Sequence, residues 1–170
     1  MPETHWDLAW ADRPPEEARN LNPAFCAELI ARTVGEFHKN RHAPLSMAVA
    51  FLVLPLVLHK PTRDSLPGRA NAAFATWVAE NGPLLAALPD RVKGLRPISR
   101  EALLFGIRYR TLAVHGGGLV PGSRPVRLTS GPSPSTDDVR EIRAAAGLLG
   151  RWFAGQATEG LILQGIGMTP

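Results

Sequence analysis

Met47–Leu58 reads MAVAFLVLPLVL, twelve consecutive apolar residues in a chain of 170. As a helix this run spans about 18 Å, well short of the roughly 30 Å hydrocarbon core of a bilayer. A buried core segment is therefore expected, in a helix over 44–58 that Pro55 kinks by removing one backbone hydrogen bond. A helix apolar on nearly every side belongs at the centre of a helical domain. The expected fold class is mainly α.

Upstream, Asn22-Pro23 supplies a helix cap and a proline at the first helical position. Phe25, Leu29, Ile30, Thr33, Val34 and Phe37 follow at spacings of three and four, an amphipathic helix ending near Asn40. Downstream, residues 59–67 (HKPTRDSLP) read as a polar turn bounded by prolines, in which Arg63 and Asp64 tie helix ends through charge-assisted hydrogen bonds. A helix over 69–80 turns Phe74, Trp77 and Val78 inward and ends at Asn81-Gly82 in a left-handed cap. A further stripe over 83–95 is interrupted by Pro89. After Pro97, Ser99 caps a helix through Tyr109 with Leu103, Leu104 and Ile107 inward.

The period changes at Thr111. Thr111–Val114, the turn Gly116-Gly117-Gly118 and Leu119-Val120-Pro121 read as a short β-hairpin. Helix, turn, helix and hairpin is the order of a winged helix, so a winged-helix-like unit is expected around 83–121. Four segments follow. Residues 1–21 form an acidic extended arm whose Trp6 and Trp10 dock on the domain or meet a partner. Residues 22–121 are the helical core with the winged-helix-like unit, and 122–136, rich in Gly, Pro, Ser and Thr, a linker or long wing. Residues 137–170 are C-terminal helices packing on the core. Their start is marked by Thr136-Asp137-Asp138, their break by Gly155, and a last short helix covers 158–164.

Apolar residues make up 45%, enough for a real core and against disorder, and Gly and Pro number 16 each. The lone Cys26 excludes an intramolecular disulfide and suits a reducing cytosol. No basic and apolar leader opens the chain, so a soluble, cytoplasmic protein is expected. The net charge of +4, with 16 of 19 cations Arg, permits a polyanion partner without demanding one.

Catalytic chemistry is hard to find. Cys26, His38 and His42 resemble half of a zinc finger without the second cysteine, so no metal is expected. No serine sits in a G-x-S-x-G elbow, and Gly116–Gly118 precedes a strand where a phosphate loop needs a helix. Asp137-Asp138 is explained by capping. We expect no enzyme and no cofactor. One constellation stands out: Arg91, Lys93, Arg96, Arg100, Arg108 and Arg110, six cations within twenty residues, opposed by Asp90 and Glu101. Phosphates attract such a surface, which makes these six the candidate DNA contacts; a solvated basic face is the plainer alternative. Residues 98–109 carry no Asn or Gln to read bases.

The runs Asn22-Pro23-Ala24-Phe25-Cys26, 52–60 (LVLPLVLHK) and 62–67 (TRDSLP) resemble the middle component of three-component ABC systems. Trp77, Arg100-Glu101-Ala102, 149–153 (LGRWF) and 166–170 (IGMTP) fit the same family. The likeness spans about 20–170 and is sharpest at 51–67; its motifs are structural, not catalytic. It implies three neighbouring genes: an ABC ATPase of the SMC or Rad50 type, this protein, and an effector, often a nuclease. Such systems are similar to Lamassu-type antiviral defence in bacteria. On that resemblance the chain is expected to be a non-enzymatic accessory subunit bridging ATPase and effector, reaching DNA through the complex. The alternative is a stand-alone winged-helix DNA-binding regulator. Trp6, Trp10, His59, Lys60, Arg63 and Asp64 are the candidate partner interface.

Overall fold

In the computed structural model, residues 8, 10–15, 21–128, 135–156 and 158–168 are described. Asn22 starts the first helix as its composition demands: its Oδ1 accepts the Ala24 amide at 2.8 Å, and α1 runs Pro23–Arg41. His42 closes it in the left-handed conformation, returning its amide to the His38 carbonyl. The inward face of α1 is buried from Cys26 to Phe37.

The expected single helix over 44–58 is three elements. Leu45–Ser46 is a short strand, β1; α2 is Met47–Ala50; α3 is Val53–Val57. Pro55 is the physical reason for the break. Its ring clashes with the carbonyl four residues back, that of Phe51, so α3 restarts at Val53 with Pro55 in its first turn, where the missing amide costs nothing. The segment is central nonetheless: every residue from Leu52 to Val57 is buried. Ser46 caps α2 through Val49, and Glu159 accepts the Ser46 amide at 2.8 Å.

Residues 59–67 hold a helix, not an open turn: α4, Lys60–Ser65, has Pro61 in its first turn and the His59 ring as cap. The next helix, α5, starts at Phe74, not at 69, and ends at Glu80. Asn81 ends it without a left-handed residue (φ −115°), its side-chain amide donating to the Trp77 carbonyl at 2.8 Å. The chain passes directly into α6, Gly82–Ala86.

Another correction concerns the winged-helix-like unit. Leu88–Arg108 is one helix, α7, with Pro97 inside it and no turn before Ser99. Proline orphans the carbonyl of Lys93, and Lys93 lies on the exposed side of the helix, where an unpaired carbonyl costs least. The hairpin, in contrast, is present: β2 (Leu112–His115) pairs antiparallel with β3 (Gly118–Pro121), turning through Gly116 and Gly117, both at positive φ. β1 joins β3 on its other side, giving sheet order β1-β3-β2.

After the hairpin the chain stays on the body: Val126 packs against the core. Residues 129–134 lie outside the described part. Thr136 caps α8 (Asp137–Ala154), and α9 (Glu159–Gly165) follows under its own cap, Thr158. α1 is the hub, with α7 on one side and α8 on the other. Against α8 the approach is close. Thr33 Oγ1 donates to the Ala146 carbonyl at 2.8 Å, and Glu28 accepts from both Arg32 (2.9 Å) and Arg143 (2.7 and 2.9 Å). Burial works against the Glu28 charge, but these guanidinium hydrogen bonds outweigh it and hold the carboxyl below its usual range.

The far end of the core is aromatic. Phe74, Trp77, Trp152 and Phe153 form one cluster, with Trp152 centred 5.1 Å from Phe74 and 5.2 Å from Trp77. Both indoles are satisfied: Trp152 Nε1 donates to the Ala72 carbonyl and Trp77 Nε1 to that of Ser65, each at 2.8 Å. The bond to Ala72 holds residues before Phe74 out of helix, which shortens α5.

Cys26 lies fully buried in α1. Burial, and secondarily Glu101, push its thiol up to about 12, with Arg13 opposing. His38 stands twelve residues on, about 18 Å along the helix, too far to share a metal with it. Iodoacetamide at pH 8 is expected to leave Cys26 unmodified in the native chain and to alkylate it within minutes in denaturant. Rapid native alkylation, followed by mass spectrometry, would contradict this burial.

Candidate partner-binding surface

Two groups of residues were singled out from the sequence, and the structure redistributes them. Trp6 lies outside the described residues, and Trp10 opens a short 3-10 turn, Trp10–Asp12. Next to that turn, Arg13 is the segment's anchor, its buried guanidinium paired with Glu101 of α7 at 2.8 Å.

His59, Lys60, Arg63 and Asp64 sit where α4 joins its neighbours. Arg63 is buried and donates to the Val57 carbonyl at 2.8 Å and to the Asp138 carboxylate, so α4 bolts the end of α3 to the start of α8. Lys60 pairs with Asp64 at 3.1 Å on the surface. His59 Nδ1 contacts the Thr62 hydroxyl at 2.7 Å, and Arg91 of α7 reaches the same ring. Arg91 further donates to Thr62 Oγ1 (3.0 Å) and to the Leu84 carbonyl (3.2 Å). It thus joins the tie at α4 and leaves the other five cations of its group.

Burial, then the Arg91 charge, lowers the His59 pKa from its usual 6.5. A histidine with a depressed folded pKa contributes stability above its unfolded value, and that contribution is lost as pH falls through the folded one. Thermal midpoints of wild type are expected to fall more steeply between about pH 7 and 5 than those of His59→Asn. Parallel curves for the two proteins would remove His59 from this role.

Lys93, Arg96, Arg100 and Arg108 share the outer face of α7, all exposed, with Arg110 just beyond its end. Among the described residues none of these five side chains has an acidic partner. Elsewhere the fold spends its carboxylates: Glu28 on Arg32 and Arg143, Glu36 on Arg151, Asp138 on Arg63, Asp137 on Arg140. Past the hairpin, Arg124 returns beside Arg110, its amide bonded to the Arg110 carbonyl at 2.9 Å.

The apolar phase of α7 differs from the expected one. Ile98, Ala102, Leu103 and Gly106 are buried, whereas Leu104 is 59% exposed and Ile107 38%. The cue was present in the sequence. Leu88, Val92, Leu95, Ser99, Ala102 and Gly106 step by 4, 3, 4, 3 and 4, one inward stripe if the helix is read through Pro97. A helix begun at Ser99 loses that phase.

Comparison with known proteins supplies what geometry does not. The family model of ABC-three component (ABC-3C) system Middle Component 3 matches residues 10–170. The chain belongs to this family. No curated protein and no solved structure matches it. A middle component works among the other proteins of its system. In this Middle Component 3 chain the 62–67 motif supplies the last four residues of α4 and, through Arg63, its tie to α8, and Trp152 of the LGRWF run anchors the aromatic cluster. Among the described residues no helix is long and apolar enough to cross a membrane.

Proposed function

We propose that this Middle Component 3 chain is a non-enzymatic subunit that bridges an SMC- or Rad50-like ABC ATPase and an effector, such as a nuclease, in a bacterial antiviral defence complex. The observation that carries the reading is the outer face of α7, where cations without acidic partners surround exposed aliphatic side chains. A partner that covers this face removes the Leu104 and Ile107 side chains from water. The test is co-expression with the products of the neighbouring genes and affinity capture of a tagged chain. Stoichiometric recovery of a coiled-coil ABC ATPase supports the reading. Recovery of the chain alone, together with specific binding of the purified protein to its own promoter, replaces it with a DNA-binding regulator.

A further inference from the structure

Lys93, Arg96, Arg100, Leu104, Ile107 and Arg108 lie on one face of α7, because residues three, four and seven apart on a helix are neighbours. The stripe is about 22 Å long at 1.5 Å per residue. Its two helical acids do not neutralise it: Glu101 turns inward to Arg13, and Asp90, one turn before Lys93, adjoins only the first of its four cations and makes no ion pair with it. Its chemistry is mixed, with Leu104 and Ile107 set between Arg100 and Arg108.

We infer that this stripe is the docking site for an acidic amphipathic helix of a partner protein, one presenting aliphatic side chains at i and i+4 flanked by Glu or Asp. The inference rests on the middle-subunit reading and names the surface and the chemistry of its partner. Charge complementarity selects an acidic occupant and steers its approach. The aliphatic pair selects protein over nucleic acid: a phosphate backbone rewards cations but gains nothing from Leu104 and Ile107, which an apolar helix face buries. A partner helix laid along α7 at the usual 8–10 Å spacing covers cations and aliphatics together.

Two measurements on the full-length protein test this. In the first, fluorescence anisotropy follows a labelled helical peptide with Leu at i and i+4 and Glu on both flanks, against a peptide of identical composition whose Leu are dispersed around the helix. The ordered peptide is expected to bind about tenfold tighter, and Leu104→Ser with Ile107→Ser is expected to abolish that difference. Arg100→Glu with Arg108→Glu is expected to weaken both peptides. Because all four side chains are exposed, the variants should keep the wild-type circular dichroism and thermal midpoint. Equal binding of the two peptides overturns the inference. So does a duplex DNA or an anionic vesicle that displaces the ordered peptide and is itself bound less well by the charge-reversed variant.

The second measurement separates this inference from the bridging role. If wild type captures the neighbouring gene products and both double variants capture them equally well, the bridging subunit stands and the α7 stripe is not its docking site. If each double variant loses one captured component at least about tenfold while remaining folded, both stand.

Discussion

Trp152→Ala is expected to destabilise the protein by about 3–5 kcal/mol, as large-to-alanine changes of buried aromatics do. The indole is fully buried, stacks against Phe153, meets Trp77 edge-on at 5.2 Å and satisfies the Ala72 carbonyl. Truncation removes the transfer term, opens a cavity between α5 and α8, and orphans that carbonyl. Phe74 lies between Trp77 and Trp152 and cannot collapse into the space without leaving Trp77. Urea unfolding followed by tryptophan-independent circular dichroism measures the loss; a change below about 1 kcal/mol would mean that the cluster closes over the gap.

The second large effect lies where two helices nearly touch. A Cβ at Gly150 would stand 2.3 Å from the Thr33 carbonyl oxygen and 2.8 Å from Glu36 Cβ, and the first of these is backbone. Gly150→Ala therefore forces α1 and α8 apart, straining the Thr33 to Ala146 bond, with an expected loss at or above the upper end of the about 1–3 kcal/mol range for overpacking. Gly147, one turn earlier on α8, supplies the control. Its added Cβ would meet the Arg151 guanidinium, held by Glu36, at 3.4 Å, an ordinary contact with the far end of a flexible side chain, so Gly147→Ala is expected to be neutral or to gain up to about 1 kcal/mol of helix propensity. Equal melting temperatures for the two variants would refute the close approach.

How much of this was legible beforehand depended on whether the deciding signal was local. Asn22, Thr136 and Gly116-Gly117 each act through the next two or three residues, and each element they mark begins or turns where expected; the caps read at Asn81-Gly82 and Ser99 do not form, because tertiary packing continues the chain as helix there. Prolines misled in both directions. Pro55 broke a helix that was expected only to bend, because its ring excludes the Phe51 carbonyl. Pro97 failed to break one, because the burial of Leu88, Ile98, Ala102 and Leu103 outweighs one lost bond on the wet side. β1 was invisible, since two residues acquire strand character only from β3, some seventy positions later.

The candidate site was half legible for a related reason. Charge is countable, so the basic cluster is legible in the sequence; helix phase is not local, so a helix begun at Ser99 puts Leu104 and Ile107 inside, where the structure exposes them. Arg91 shows the same limit, since a guanidinium looks alike in sequence whether it meets solvent or crosses to His59; at Arg63 the helix tie is legible but its carboxylate partner is Asp138, not Asp64.

The hub position of α1 has a consequence during synthesis. Thr33 bonds to Ala146, 113 residues later, so one flank of α1 waits for its cover while most of the chain is still being made. At about 5–20 residues per second that wait lasts roughly 6–23 s. Through it, Leu29, Val34 and Phe37 are exposed beside the ribosome exit, and a nascent chain stalled before α8 is a substrate for chaperones and proteases. Slower synthesis between α1 and α8 is thus expected to lower the yield of folded middle subunit.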